Sequence, residues 1–317
     1  MNNKSTIITA IICTLIILGV IFNLERISNF ISSYLETEPK VEIQSKNIYA
    51  LNGSYDYVQV VNDFSPHSIQ DLKNIIYTTI DSGWKKFTFY CPEEYTTCVK
   101  DVTDLTNDQE SLTHINNFVS PYNSFSNVKT TISESGEINL ELEYLYTEEE
   151  INKINAKVDQ IIKENITSDM SDYDKIKTIH DYLINNSKYD VERNDGKGSV
   201  YNSYKAYGPL FEGYATCNGY TDAMALFLNK FGIKNYKIAT TPENENLTGH
   251  IWNAVYLDGK WLHLDVTWDD PVAESGQDYL LHKYFLVTEE ELRTADEGKV
   301  TVTEHNYLKA IYSEFAN

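Results

Sequence analysis

Two adjacent residues, Asp258 and Gly259, constrain the fold of this chain more than any other pair. They interrupt the stretch "GHIWNAVYLDGKWLHLDVTWDDP", residues 249–271, in which apolar and polar positions alternate on both sides. Asp-Gly is a strong signal for a two-residue β-hairpin, because both central positions must accept positive φ. With that loop Leu257 pairs with Lys260, Asp265 falls opposite Trp252, and His250 falls opposite Thr267. Side chains alternate along a strand, so His250, Trp252, His263 and Asp265 share one face. His250 and Asp265 become diagonal neighbours about 7 Å apart at the backbone, within side-chain reach. The other face carries Ile251, Val255, Leu257, Leu262, Leu264 and Val266, with Asn253 expected to bond to backbone there. A three-residue loop would shift the pairing by one and put His250 and Asp265 on opposite faces.

A second constraint lies upstream, in "EGYATCNGYTDAMALFLNKFG", residues 212–232. Tyr220, Ala223, Met224, Phe227, Leu228 and Phe231 follow the spacing of one helical face, and Gly232 stands at its C-cap. Cys217 precedes this stripe at the helix's N-terminal edge. Free amides and the helix dipole there stabilise a thiolate and can receive an oxyanion. A carboxylate-oriented histidine is the group that takes a proton from such a thiol. Cys217, His250 and Asp265 are therefore candidate nucleophile, base and orienting carboxylate. The plainer alternative is a core cysteine beside an inert surface His–Asp contact.

The chain has 317 residues and a formal net charge of −21, which argues against nucleic acid as a partner. Residues 5–24 carry no charged side chain, with Lys4 before them and Glu25 and Arg26 after. Twenty helical residues span about 30 Å, enough to cross a bilayer. No small-x-small cleavage site follows, so the run reads as a signal anchor with a short cytoplasmic stub and the bulk of the chain extracytoplasmic. Cys91 and Cys98 bracket "CPEEYTTC" and can close a disulfide loop in an oxidising space, which leaves Cys217 without a partner. Their spacing does not suit zinc, and no metal or cofactor motif is present in the sequence.

Residues 1–26 thus form the anchor and residues 27–45 a linker. Residues 46–146 read as a small α+β domain. Within it the pattern predicts a helix through Ile69, Leu72, Ile75, Ile76 and Ile80, a strand "KKFTFYC", and a hairpin turning at Ser135-Gly136. From residue 147 to 317 a second domain opens with a capping box at Thr147 and Glu150. A helix from Ser171 carries His180 in a structural position, and residues 190–207 read as a long polar loop that can rim a site. Asp269 and Asp270, before Pro271, read as turn residues.

Three segments in order resemble the bacterial branch of the transglutaminase-like superfamily: "GPLFEGYATCNGYTDAMALFLNKFGI", the hairpin, and "YFLVTEEEL". The likeness extends weakly through "IHDYLINNSKYD" and "EHNY", over about residues 170–308. Asn218, Ile251 and His263 depart from the usual Gln, Ala and Tyr, and no member of the trio is lost. The resemblance implies a papain-like α+β core in which a helix bearing Cys217 packs on an antiparallel sheet bearing His250 and Asp265. It implies acyl transfer through a thioester, with hydrolysis and transamidation both open. The expected protein is a membrane-anchored cysteine enzyme acting on envelope proteins or wall peptides, with Trp252 and His263 as candidate substrate contacts. Two alternatives are a non-catalytic envelope-binding version of the fold and a wall-peptide hydrolase of another cysteine family.

Overall fold

The computed structural model describes residues 65–194, 196–240, 249–271, 279–296, 305–309 and 312. The expected membrane span at residues 5–24, the linker at 27–45 and the start of the next domain lie outside them. Among the described residues no helix is long and apolar enough to cross a membrane.

The described residues open with helix α1 (Ile69–Asp81), capped by the Ser68 side chain, and strand β1 (Lys86–Tyr90). Two helices that the periodicity did not mark follow, α2 (Cys98–Asn107) and α3 (Gln109–Asn117). They bury only a few apolar side chains each, chiefly Val102 and Leu105 from one and Leu112 and Ile115 from the other, too sparse a stripe to stand out. A disulfide joins Cys91 to Cys98 at the start of α2. Strands β2 (Phe125–Ile132) and β3 (Glu137–Tyr144) then pair with β1 in the order β1-β3-β2. Ile132 faces Ile138 across the expected turn, where Gly136 takes φ +81°.

Helix α4 (Glu148–Asn165) opens with the expected reciprocal cap between Thr147 and Glu150. Helix α5 (Asp172–Asn186) is capped by Ser171. The two-residue strands β4 (Lys188–Tyr189) and β5 (Tyr214–Ala215) pair in parallel and flank the expected loop. That loop is more ordered than its polar composition suggests: Val191–Asn194 make a helical turn, α6. The Arg193 guanidinium donates to the carbonyls of Ser199 and Tyr201 and to the Ser203 hydroxyl. Helix α7 (Cys217–Lys230) follows, then an antiparallel sheet of β6 (Asn235–Ala239), β7 (Ile251–Leu257) and β8 (Lys260–Leu264).

The hairpin between β7 and β8 has the predicted register, with Leu257 opposite Lys260 and Asn253 opposite Leu264. Asp258 and Gly259 take φ of 51° and 81°, the conformation for which Asp-Gly is suited. The expected continuation past Leu264 does not form. Asp265 instead caps a short helix, α8 (Val266–Asp269), its Oδ1 accepting from the Trp268 amide at 3.2 Å. The facing of Asp265 with Trp252, and of His250 with Thr267, is therefore replaced by a turn that brings Asp265 back toward β7. A further helix, α9 (Glu289–Asp296), is tied to β8 by paired hydrogen bonds between His263 and Val287.

Both faces of the β6–β8 sheet are buried. Val255 and Leu264 pack with Phe227 and Leu228 of α7 on one side. On the other, Tyr236, Ile238, Trp252 and Ala254 join Ile115, Phe118 and Leu140 in a single apolar cluster. The N-terminal α+β segment thus shares its core with the second half of the chain. Each fully buried large apolar side chain stabilises the fold by about 1.5–3 kcal/mol. A buried polar bridge crosses the same junction. Lys237 Nζ contacts Asp222 Oδ1 at 3.0 Å and Ser124 Oγ at 3.1 Å, while Tyr146 OH donates to Asp222 Oδ2 at 2.8 Å. Both charged side chains are 4% exposed, so removing one strands the other. Asp222→Ala is expected to lower stability in urea unfolding by about 3–5 kcal/mol, whereas an apolar replacement of both partners costs much less.

Candidate active site

Cys217 is the first residue of α7, after the extended Thr216. Its position is held from below: the Thr216 amide donates to the Ser203 carbonyl at 2.8 Å. A Cβ on Gly219 would collide with that same carbonyl oxygen, so the loop can approach the helix start only beneath a glycine. This accounts for the Gly in the Cys-x-Gly-Tyr motif. The first-turn amides of α7 have no acceptor within the helix and are available to a developing oxyanion beside Cys217.

His250 immediately precedes β7, and the Thr221 hydroxyl bonds the Ile251 carbonyl at 3.0 Å, joining the helix start to the strand start. Cys217 and His250 line the same cavity, and Cys217 is close enough to act electrostatically on the imidazole. Its Nε2 meets Asp265 Oδ2 at 2.6 Å, which leaves Nδ1 as the nitrogen not engaged by the carboxylate. Burial opposes a charge on His250, but the Asp265 carboxylate and then Cys217 outweigh it and push the imidazole up to about 10. Burial likewise opposes ionisation of Asp265, yet His250, followed by His305, holds its carboxyl well below the usual range. Of the two sequence candidates for ion-pair members, both therefore favour the imidazolium–carboxylate form.

The structure brings Cys217, His250 and Asp265 together as expected. It places Trp252 and His263 behind the imidazole rather than on the cleft, in contrast to the substrate-contact expectation. Trp252 is 1% exposed and stacks on His250 with ring centroids 5.6 Å apart. Its indole N–H donates to His263 Nδ1 at 3.0 Å, which fixes the proton of a neutral His263 on Nε2. Burial, and then the charge of His305, push His263 down to about 3. Asp269 and Asp270 are buried acceptors rather than turn residues. Asp269 receives the amides of Lys283 and Tyr284 and His180 Nε2, and Asp270 receives the Tyr220 hydroxyl. His180 is fully buried between Asp181 and Asp269, in the structural role its sequence position suggests.

Two residues escaped the sequence reading. His305 Nε2 also donates to Asp265 Oδ2, at 2.8 Å, and its Nδ1 reaches Asp296 Oδ2 at 2.9 Å. The signal was present only as "EHNY", which carries no periodicity or spacing that points to Asp265. The cleft's second wall was also illegible. A cavity of about 450 Å3 lies at Cys217 and His250, and Gln109, Glu110, Thr113 and His114 of α3 line its far side. Among the described residues, two His/Asp groups bring metal-capable donor atoms within 4.8 Å of one another: His180, Asp181 and His282, and His250, Asp265 and His305. In each, one carboxylate oxygen lies 2.6–3.0 Å from both imidazoles, the spacing of proton-bridged pairs, so neither group needs an ion to hold it together.

The sequence profile of the transglutaminase-like superfamily matches residues 159–266, from within α4 to the start of α8. Kyphoscoliosis peptidase of Mus musculus is 22% identical over 150 residues, covering 43% of this chain. The match spans 22% of that protein's length. Among solved structures, a TGase aligns at 18% identity and a TM-score of 0.33, covering 45% of this chain and 44% of its own. The periplasmic domain of TgpA from Pseudomonas aeruginosa, bound to ethylmercury, aligns at 14% identity and a TM-score of 0.27, covering 42% and 55%.

Two outcomes follow from the geometry. Gly219→Ala is expected to lower the thermal midpoint, through about 1–3 kcal/mol of overpacking against Ser203. His250 has its folded pKa raised above an unfolded value near 6.5, so its contribution to stability is complete below that pH. It is lost as pH rises toward about 10. Urea midpoints measured across this window should fall in the wild type, and the His250→Gln variant should lack that part of the decline. With the profile match, the ordered motifs and the assembled Cys217–His250–Asp265 geometry together, the chain carries a domain of the transglutaminase-like superfamily.

Proposed function

We propose that this protein is a cysteine enzyme that acts on amide bonds through a thioester. The observation that carries this reading is the position of Cys217. It starts a helix at the edge of a cleft that His250 also lines, and the His250 imidazole is held by Asp265 at 2.6 Å. In the acylation step Cys217 Sγ attacks the carbonyl carbon, a C–S bond forms, and the carbonyl oxygen becomes an oxyanion facing the first-turn amides of α7. His250 Nδ1–H gives its proton to the departing nitrogen as the C–N bond breaks. Water or an amine then attacks the thioester, His250 takes its proton, and the C–S bond breaks to restore the thiolate. Asp265 stabilises the imidazolium throughout.

The cleft wall from α3 supports a part for the N-terminal α+β segment in substrate selection. The cellular setting is proposed on two features: the uncharged run at residues 5–24 supports an anchor, and the Cys91–Cys98 disulfide supports an oxidising, extracytoplasmic space. Envelope proteins and wall peptides are the amide substrates found there.

The test uses full-length protein with a glutamine-containing peptide, with and without a labelled primary amine. Wild type is expected to release ammonia or incorporate the amine, and Cys217→Ala to lose at least about 10³-fold in rate with an unchanged thermal melt. Equal rates in wild type and variant would exclude the reading. Ammonia release without amine incorporation identifies hydrolysis as the reaction; incorporation identifies transamidation.

A further inference from the structure

We propose that His305 is a positioning residue for this site. It is a buried imidazolium wedged between Asp265 and Asp296 that fixes the Asp265 carboxylate for His250 and limits how tightly it retains His250's proton. The inference rests on reading Cys217, His250 and Asp265 as the reacting trio. Asp296 and His305 both lie beyond the segment matched by the family profile.

The protonation of His305 follows from its partners. Nε2 lies 2.8 Å from Asp265 Oδ2, and Nδ1 lies 2.9 and 3.1 Å from the two oxygens of Asp296. A neutral imidazole carries one N–H and can donate to one carboxylate; only the imidazolium donates to both. Its side chain is 2% exposed, so water is no substitute partner. The rings of Trp252, Tyr284 and Trp268 enclose it. The Tyr284 hydroxyl donates to Asp296 Oδ1 at 3.1 Å and anchors that carboxylate in turn. The other titratable neighbours are His250 and His263, which Trp252 keeps neutral. With His250 protonated, the two buried carboxylates are balanced by two imidazolium ions, the condition under which such charges are tolerated inside a protein.

Two consequences follow for Asp265. First, its Oδ1 accepts one donor and its Oδ2 accepts two, so its orientation toward His250 is set by three hydrogen bonds. Second, two cations share one oxygen. The His305 ring centroid lies 5.4 Å from that of His250, and the like charge weakens the hold of Asp265 on His250's proton. A general acid must release its proton to the leaving nitrogen, and a histidine alone with a buried carboxylate would cling to it.

The test reads protonation directly by nitrogen-15 NMR of histidine in the full-length protein, together with iodoacetamide alkylation of Cys217. His305→Gln keeps an amide donor near the Nε2 position without the charge, while His305→Asn is too short to reach Asp265. Wild-type His305 is expected to show both nitrogens protonated at neutral pH. In His305→Gln, His250 should keep its proton to higher pH than in wild type, with alkylation changed less than about tenfold. His305→Asn should slow alkylation by about 10- to 100-fold, as expected when a supporting group is misplaced. Asp296→Asn should let His305 lose its proton at lower pH, while the thermal melt reports whether each variant is folded. A single protonated nitrogen on wild-type His305, or identical His250 titrations in wild type and His305→Gln, would overturn the inference. Equal losses in both His305 variants with no displacement in pH would show a packing role instead and overturn it as well. Because the titrations need no turnover, they decide the His305 clamp separately from the Cys217→Ala test of the reaction.

Discussion

One carboxylate oxygen, Asp265 Oδ2, is the point on which the site closes. It accepts from His250 at 2.6 Å and from His305 at 2.8 Å, and it is almost wholly removed from solvent. A buried anion is tolerable only with cations and donors arranged around it, so the surrounding structure must deliver those groups accurately. Strand β7 delivers His250, the turn into α8 delivers the carboxylate, and the segment beyond α9 delivers His305. Each lies on a different part of the chain, and none would hold its charge in place without the others.

The carboxylate's position depends in turn on α8, four residues long and held at both ends. Asp265 caps it through the Trp268 amide, and Asp269 at its far end receives two backbone amides and His180. A short helix has little stability of its own, because its nucleus costs more than a few hydrogen bonds return. Its persistence here reflects those buried partners. The same logic explains α3, whose nine residues pack through Ile115 into the apolar cluster on the far face of the β6–β8 sheet. That packing turns a segment outside the family match into a wall of the cleft.

Local chemistry was the legible part of the sequence. Asp258-Gly259 prescribed the register of β7 and β8, the alternation of side chains put Asn253 on the face toward α7, and the helical stripe after Cys217 placed that thiol at a helix start. Thr147 with Glu150 and Ser171 marked helix starts through their own side-chain bonds. These features succeed because a turn, a cap or a periodic face is decided within a few residues. Helices α2 and α3 were missed because their apolar positions are few, and strand β6 because its first four residues are buried whether apolar or not, Lys237 and Asn235 included.

What the sequence by itself determined is the hairpin register and the helix that starts at Cys217, since short-range backbone preferences and spacing suffice for each. Tertiary structure alone decided that Trp252 and His263 sit behind His250, that α3 walls the cleft, and that His305 and Asp296 back the carboxylate. Those outcomes join residues tens of positions apart through burial and charge balance. Such forces depend on which surfaces meet when the chain packs, and no local pattern encodes that meeting.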